Sequence, residues 1–260
     1  MANKTSTAQK GIGYKIKNMT DTNMLLTITI VIFFLMYIGA IVFQGEGFLR
    51  PQTFLSMLNA NGALIITSCG MSLVMITGGI DISVGGVVAL VSMCSAVYLD
   101  YHNGSILGAV LISLGIGLAF GIVQGYLVAY LDIQPFIVSL AGMFFARGMT
   151  TIVNTNPFNV QNEAFVALKD TRVIVPGLGS VNKLGRYVDA YVEIGVVVAL
   201  LVVILMFIML RWTKLGRSFY AVGGNQQSAL MLGINVRRTK FLSHLICSLL
   251  AGIGYTSTMS

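Results

Sequence analysis

Long apolar segments alternate with short polar connections along almost the whole chain. An α-helix needs about 20 apolar residues to cross the hydrocarbon layer of a membrane. Segments of about this length lie at Met24–Phe43, Thr53–Thr77, Ile82–Leu99, Ile106–Leu131, Pro135–Val153 and Tyr191–Leu210, and a seventh begins near Phe241. The pattern predicts an all-α, polytopic membrane protein with about seven transmembrane helices, in a single transmembrane domain over residues 1–260.

The composition supports a membrane protein and excludes a soluble globular domain. Of the 260 residues, 56% are hydrophobic and only 10% are charged, whereas a soluble domain has about 25% charged residues. We therefore interpret the net charge of +7 as loop charge that orients the chain in a bilayer, and not as a nucleic-acid surface. The three cysteines lie inside apolar segments without metal-ligand spacing, so we predict packing roles, no metal site and no cofactor.

Basic residues cluster in two of the polar segments. The tail 1–23 has four lysines and one aspartate, and the connection 211–240 has six basic residues and no acid. The positive-inside rule predicts that both are cytoplasmic. Six apolar segments separate them, an even number, so the two assignments agree. The segment 154–190 is then an external loop, and its proline-containing pairs indicate turns.

A glycine-rich polar stretch, Gly78–Gly86, separates the second and third apolar segments. Its nine residues contain four glycines, Asp81 and Ser83. A carboxylate at the edge of hydrocarbon is costly, and glycines allow sharp turns or close packing. One interpretation is a tight turn in which Asp81 or Ser83 caps the next helix. The other is a functional signature.

Glycines recur at four-residue spacing in the fourth apolar segment. Gly117, Gly121 and Gly125 share one helix face, and Gly104 and Gly108 have the same spacing at the start of the segment. Such a face allows close approach of another helix. The alternative is that it lines a path for a solute.

Several polar or aromatic residues inside the apolar segments are candidates for a solute path. Arg147 lies about 18 Å along its helix from Pro135, where it either extends to the outer headgroups or faces a water-filled path. Buried amides either bridge helices or bind a ligand, and a phenylalanine either packs or stacks on a solute ring. The candidates are Asn59, Asn61, Asp81, Gln124, Phe136 and Arg147.

The basic connection 211–240 contains a predicted short helix, Gln226–Leu232. Asn225 is a favourable N-cap, and Gly233 is a favourable C-terminal stop. Its apolar side comprises Ala229, Leu230 and Leu232. An apolar projection on a cytoplasmic loop indicates a docking element for a soluble partner; the alternative is a helix lying on the lipid surface.

These motifs together resemble the permease subunits of bacterial simple-sugar ABC importers of the ribose/galactoside/xylose type and, in finer detail, galactofuranose-type permeases. The resemblance rests on Gly78–Gly85, Pro135–Gly148, Gly216–Arg217, Tyr220–Asn225, Ala229 and Leu232–Ile234. It implies a multi-pass protein of the bacterial inner membrane whose external or periplasmic binding protein delivers a sugar. It also implies an ATP-binding subunit and a second permease copy or sister permease.

In that family the loop helix resembles a coupling helix that fits a groove on the ATPase. The residues that the resemblance assigns to coupling are Gly224, Asn225, Ala229, Leu232 and Gly233. Two departures from the family pattern stand out. Gln124 occupies a position where relatives commonly have asparagine, and relatives continue for several dozen residues beyond the position of Ser260. The resemblance therefore predicts that C-terminal spans are missing from this chain.

Two other function classes compete with an ABC permease. An ion-coupled secondary transporter needs ionisable groups near the membrane midplane, but the acids near the apolar segments lie close to predicted helix ends. A membrane enzyme needs a cluster of nucleophile and base or of metal ligands, which the sequence does not indicate. The chain also lacks Gly-x-x-x-x-Gly-Lys-Ser/Thr, so ATP hydrolysis is assigned to a partner subunit and the chain is predicted not to be an enzyme.

Overall fold

The computed structural model describes residues 21–44, 51–155, 160–162, 165, 167, 172–181 and 187–256. Most of the predicted tail 1–23 and much of the segment 154–190 lie outside these residues. The described elements are α1 (Asp21–Gln44), α2 (Pro51–Ile76), α3 (Val84–Tyr101), α4 (Ile106–Ala129), α5 (Pro135–Val153), β1 (Arg172–Val181), β2 (Tyr187–Glu193), α6 (Ile194–Trp212), α7 (Lys214–Gly224), α8 (Gln226–Met231) and α9 (Val236–Thr256). The predicted all-α polytopic class is confirmed, with one added hairpin.

Six of these helices, α1 to α6, are long and apolar enough to cross a membrane. The seventh predicted segment is present as α9, which begins at Val236, before the expected start near Phe241. Helix α9 is not among the six candidate spans within the described residues. Its first turns carry three basic residues, and Ser243, His244 and Ser248 are buried further along it. These polar groups lower its apolar character.

The chain divides into two compact units, residues 1–54 and residues 55–260. Helix α1 belongs to the first unit and is apolar around its whole circumference, as a lipid-facing span would be. All the contacts described below lie within the second unit.

Helix α9 packs closely against the glycine face of α4. A Cβ added at Gly117 would lie 2.7 Å from the Ser248 carbonyl oxygen, and one at Gly121 would lie 2.9 Å from Leu245 Cα. A Cβ at Gly125 would approach the backbone of α9 to 3.0 Å. The packing interpretation of this face is therefore confirmed, because only glycine leaves room for the second backbone.

The opposite side of α9 packs against α2. A Cβ added at Gly70 would lie 3.0 Å from Cys247 Cα, and one at Gly254 would lie 3.1 Å from Thr67 Cγ2. The main apolar cluster of buried residues joins α2, α6, α7 and α9 and comprises Ile66, Leu73, Ala199, Val202, Met206, Phe219 and Leu250. Helix α9 thus occupies the centre of the second unit, between α2 and α4.

The segment predicted as a loop with turns contains an antiparallel hairpin of β1 and β2. Arg172 pairs with Glu193 and Val175 with Ala190, and the register shifts between Val175 and Ser180. The predicted Pro-Gly turn signal falls in this irregular part, where proline cannot donate to the ladder. The signal therefore marks a break inside a strand, and the segment expected to be an external loop with turns contains a hairpin.

The hairpin and the basic connection lie at opposite ends of α6, which separates them by about 28 Å. At the hairpin end, Asn162 Nδ2 donates to the Leu99 carbonyl over 3.1 Å, and the Gln161 N–H donates to Asp100 Oδ1 over 2.9 Å. These contacts place residues 160–162 beside the connection from α3 to α4. At the other end, the basic connection lies beside the end of α2, as described below.

Candidate functional site

The predicted turn after α2 is closed by two glycines. Gly78 has a φ of 82°, a left-handed conformation that glycine adopts without strain. The Gly79 N–H donates to the Val74 carbonyl over 2.9 Å, and the Gly78 N–H donates to the Met75 carbonyl over 3.0 Å. These two bonds form a Schellman motif that ends α2 and directs the chain into the protein.

Asp81 follows this turn and is buried, with 2% of its surface exposed. Its Oδ1 accepts a hydrogen bond from the Ser83 N–H over 2.9 Å and one from the Ser83 hydroxyl over 2.6 Å. Ser83 occupies the N-cap position of α3, but its side chain makes no capping hydrogen bond. The stretch is therefore a tight turn, as predicted, but the Ser83 hydroxyl is used to hold the Asp81 carboxylate.

Gln124 extends this hydrogen bonding to α4. The Ser83 hydroxyl has one proton, which the short bond to Asp81 uses, so Ser83 Oγ accepts from Gln124 Nε2 over 2.9 Å. Gly142 on α5 leaves the space for this amide, since a Cβ there would collide with Gln124 Nε2. The helix-bridging interpretation of Gln124 is confirmed: it joins α4 to the turn before α3.

His244 on α9 faces the other oxygen of the same carboxylate. Its Nδ1 lies 3.9 Å from Asp81 Oδ2, with both side chains almost fully buried. Among the described residues neither atom has a hydrogen-bond partner. At the residue directly before His244, Ser243 Oγ lies 3.3 Å from Thr77 Oγ1. We call Asp81, Ser83, Gln124 and His244 the Asp81 cluster.

The Asp81 cluster contains a member that the sequence interpretation missed. His244 lies just after Phe241, near the start of the seventh predicted segment, and no sequence motif includes it. A useful signal was available, because a histidine within a helix and a carboxylate at a span end each need a polar partner. Nothing in the sequence pattern identified the two as partners of each other.

The other four candidates for a solute path lie elsewhere. Asn59 is buried, and its Oδ1 accepts from the Glu193 N–H over 3.1 Å. Asn61 is exposed and donates to the carbonyl of its own helix at Met57. Phe136 and Arg147 are exposed on α5, Phe136 in its first turn and Arg147 further along the helix. The structure therefore joins Asp81 to Gln124, whereas Asn59 ties the start of α2 to the end of the hairpin.

The predicted helix in the basic connection is present as α8. Asn225 Oδ1 accepts from the Ser228 N–H over 2.9 Å, which confirms the N-cap. Gly233 has a φ of 78°, and the Ile234 N–H donates to the Ala229 carbonyl over 3.0 Å. The predicted C-terminal stop is confirmed as a second Schellman motif, and the helix ends at Met231, one residue earlier than expected.

The side chains of α8 divide differently from the sequence expectation. Ala229 is 1% exposed and packs against Val222 and Val236. It therefore supports the connection from inside and presents no side chain to a partner. The exposed apolar residues are Leu230, Met231 and Leu232, with exposures of 59%, 88% and 78%. We call these three residues the Leu230–Leu232 surface.

A groove of about 640 Å³ adjoins this surface. It lies between the end of α4 and the start of α9, and its charged lining residues are Asp132, Arg237 and Lys240. Leu230 and Gly233 also line it. The groove thus continues the exposed apolar residues into a polar recess with two basic side chains.

The basic connection contacts the turn that leads to Asp81. A Cβ added at Gly223 would collide with the Ile76 carbonyl oxygen at the end of α2. Phe219 and Val222 on α7 are buried, which fixes α7 against the protein. The basic connection is therefore in backbone contact with the end of α2, five residues before Asp81.

The chain is similar to known transport proteins. The chain matches the family described as "Branched-chain amino acid transport system / permease component" over residues 53–254. It is 33% identical to the fructose import permease protein FruG of Bifidobacterium longum over 97% of this chain and 71% of that protein. It is 33% identical to the inner membrane ABC transporter permease protein YjfF of Escherichia coli, over 90% of this chain and 67% of that protein.

A third relative is the ribose import permease protein RbsC of Escherichia coli, which is 30% identical over 84% of this chain and 64% of that protein. The chain thus spans about two thirds of the length of these relatives. No solved structure matches it. Because the family match covers most of the chain, this multi-pass membrane protein belongs to the family of transport-system permease components, in the group that contains ABC importer permeases.

Proposed function

We propose that the chain is the transmembrane subunit of an ABC importer that moves a simple sugar into the bacterial cytoplasm across the inner membrane. The observation that carries this proposal is a capped, rigid connection with an exposed apolar surface, in a chain similar to permeases named for fructose and ribose import. A binding protein on the outer face would deliver the sugar. The finer assignment to galactofuranose-type permeases rests on the sequence motifs alone.

We assign the Leu230–Leu232 surface and the adjoining groove to an ATP-binding subunit. Three neighbouring apolar side chains with exposures of 59% to 88% favour burial by a partner. Gly224, Asn225 and Gly233 shape the connection through a cap and two tight bends, and Ala229 fixes α8 from inside. The basic residues of the groove favour an acidic partner surface.

We assign the exposed face of α5 to the interface with a second permease copy or a sister permease. Arg147 is exposed there, on a helix apolar enough to span the membrane. An exposed guanidinium within a span requires water, headgroups or protein around it. Phe136 and Arg147 therefore stay candidates for the sugar path, together with Asn61, whereas the contact of Asn59 with the hairpin favours a structural role.

Transport by reconstituted complexes tests the function. The full permease, its ATP-binding subunit and its binding protein are placed in liposomes, and uptake of labelled fructose, ribose and galactofuranose is measured. We expect uptake that requires internal ATP and is abolished by vanadate. Uptake that is insensitive to vanadate and abolished by dissipating ion gradients would instead show a secondary transporter, the alternative function.

The docking assignment is tested separately at Met231, the most exposed residue of the surface. Met231→Glu places a charge where an apolar contact is expected, and the desolvation of that charge should weaken binding of the ATP-binding subunit. Met231→Leu retains the apolar surface and is the control. We expect the ATP-binding subunit to co-purify with the leucine variant and to be lost from the glutamate variant. Equal recovery with both variants would contradict this assignment.

A further inference from the structure

The Asp81 cluster contains two buried polar atoms that face each other without forming a hydrogen bond. Asp81 Oδ2 and His244 Nδ1 are 3.9 Å apart, which exceeds the usual range of up to about 3.2 Å. Resting on the proposed function, we propose that His244 is a positioning residue for energy coupling. When the two atoms come within hydrogen-bond distance, the imidazole holds the free oxygen of Asp81 and fixes the turn that contacts the basic connection.

The energetic argument starts from the cost of the unmade bond. A buried polar atom without a partner costs about 1–3 kcal/mol, and both atoms of this pair are in that condition among the described residues. A relative movement of roughly 0.7 Å would bring them within hydrogen-bond distance. The proposal adds to the open arrangement of this structure a closed one, reached by a small shift of the turn against α9.

The other oxygen of Asp81 is already held. Asp81 Oδ1 accepts two hydrogen bonds from Ser83, and Ser83 accepts one from Gln124. These bonds connect the carboxylate to the start of α3, through Ser83, and to α4, through Gln124. Closure with His244 would add α9 to the same carboxylate, so that a single buried side chain would connect three helices.

Asp81 and His244 are each linked to the basic connection by a neighbouring element. On the turn side, Gly223 of α7 contacts the Ile76 carbonyl, one residue before Thr77. On the histidine side, α9 begins in the wall of the groove, at Val236, and His244 lies about 12 Å further along it. A partner that shifts α7 and the start of α9 relative to each other would therefore change the Asp81–His244 distance.

Two other ionisable groups of α9 lie near the Asp81–His244 pair. Lys240 lies one turn earlier on α9 and acts on the imidazole electrostatically, and Cys247 lies against the Asp81 carboxylate. Both belong to α9 and move with His244. Asp81 is thus the group on another element whose position relative to the imidazole changes when the turn moves.

The test compares two substitutions of equal shape. Asparagine and leucine have similar size, but an asparagine amide stands close to the position of histidine Nδ1 and can donate to Asp81. In the reconstituted full complex we measure sugar transported per ATP hydrolysed, together with co-purification of the ATP-binding subunit. We expect His244→Leu to lower this ratio by about fivefold or more, with co-purification retained, and His244→Asn to stay close to wild type.

A double substitution separates pairing from packing. His244→Leu already removes the proposed bond, so adding Asp81→Asn should cause little further loss, and the double variant should keep about the ratio of the less active single variant. Equal ratios for the leucine and asparagine variants, or additive losses in the double variant, would overturn the proposal. If His244→Leu does not assemble, recovery of assembly by Asp81→Asn supports the pairing, and continued failure overturns it.

Failure of the proposed function gives a different result. In that case the wild-type complex itself shows no sugar uptake coupled to ATP. A wild-type complex that couples, with variants that couple equally well, contradicts only the role of His244.

Discussion

At the residue scale, the Asp81 cluster shows how a carboxylate is tolerated inside a membrane protein. The Ser83 hydroxyl and N–H both donate to Asp81 Oδ1, and the hydroxyl in turn accepts from Gln124. Hydrogen bonds to a charged group contribute about 1.5–3 kcal/mol each. Ser83 is central to this arrangement because its one oxygen both donates and accepts.

Replacement of Ser83 should therefore be more costly than replacement of an exposed serine. Ser83→Ala removes a donor to Asp81 and leaves the Gln124 amide without its acceptor, so we expect a loss of about 1–3 kcal/mol. Ser72→Ala is the matched control, since its exposed hydroxyl bonds only to the preceding turn of its own helix. Thermal unfolding of the detergent-solubilised proteins measures both. A melting temperature as unchanged in Ser83→Ala as in Ser72→Ala would contradict this expectation.

Single residues differ in how far the sequence could predict their roles. The caps at Asn225 and Gly233 were predictable because cap chemistry depends on a few neighbouring residues. The inward orientation of Ala229 was not, because it depends on Val222 and Val236, which belong to separate elements. The pairing of His244 with Asp81 likewise depends on how α9 packs.

At the element scale, the second unit depends on close approach between helices. Helix α9 meets α4 at the glycine face and α2 at Gly70 and Gly254. In lipid, the hydrophobic effect gives little drive for helix association, so packing at small residues becomes important. These contacts allow a helix with buried serines and a histidine to lie at the centre.

A methyl group on the glycine face should separate α4 from α9. In Gly121→Ala the added Cβ would lie 2.9 Å from Leu245 Cα, and relief of this contact requires a backbone shift that costs about 1–3 kcal/mol. Gly115→Ala on the same helix is the control, since nothing lies within 4 Å of its added Cβ. Alanine favours a helix over glycine, so the control should be as stable as wild type or more stable. Unfolding temperatures that fall equally in both variants would contradict the packing argument.

The elements also show where sequence patterns were sufficient. Six spans were predictable from apolar length, because the hydrocarbon thickness sets that length. Apolar length did not predict the start of α9 at Val236, because the first turns of this helix are basic and so resemble a polar connection. The hairpin was missed because a Pro-Gly pair was interpreted as a turn. The β-branched residues Val173 to Val175 and the alternation in Tyr187–Glu193 were the available signals.

At the scale of the whole molecule, the basic connection contacts the end of α2 and continues into α9. Helix α7 contacts the end of α2 through Gly223, and α9 runs from the groove into the Asp81 cluster. In the proposed function, a partner bound at the Leu230–Leu232 surface would act on the Asp81–His244 pair through α7 and α9. The path from the basic connection to the pair is short, because Gly223 contacts the backbone of Ile76, five residues before Asp81.

Two adjacent glycines allow this connection to be tested. Gly223→Ala would bring a Cβ into the Ile76 carbonyl, whereas the added Cβ in Gly224→Ala meets nothing within 4 Å. We expect the first variant to displace α7, lose about 1–3 kcal/mol of stability and transport less sugar per ATP. Gly224→Ala should retain stability. Equal transport ratios in the two variants would show that the contact between α7 and α2 does not contribute to coupling.

The predicted orientation in the membrane can be tested at the two ends of the second unit. Asn225 is exposed in the basic connection, and Asn103 is exposed between α3 and α4, beside the residues that precede the hairpin. The positive-inside rule assigns Asn225 to the cytoplasm, and the path of the chain through α4, α5 and α6 then assigns Asn103 to the outside. Single cysteines at these positions, in a background without the three native cysteines, are exposed to a membrane-impermeant thiol reagent in intact cells and in inverted vesicles. We expect labelling of Asn103→Cys in cells and of Asn225→Cys in inverted vesicles. The reverse pattern would contradict the orientation, and labelling of both positions from one side would contradict the span count between them.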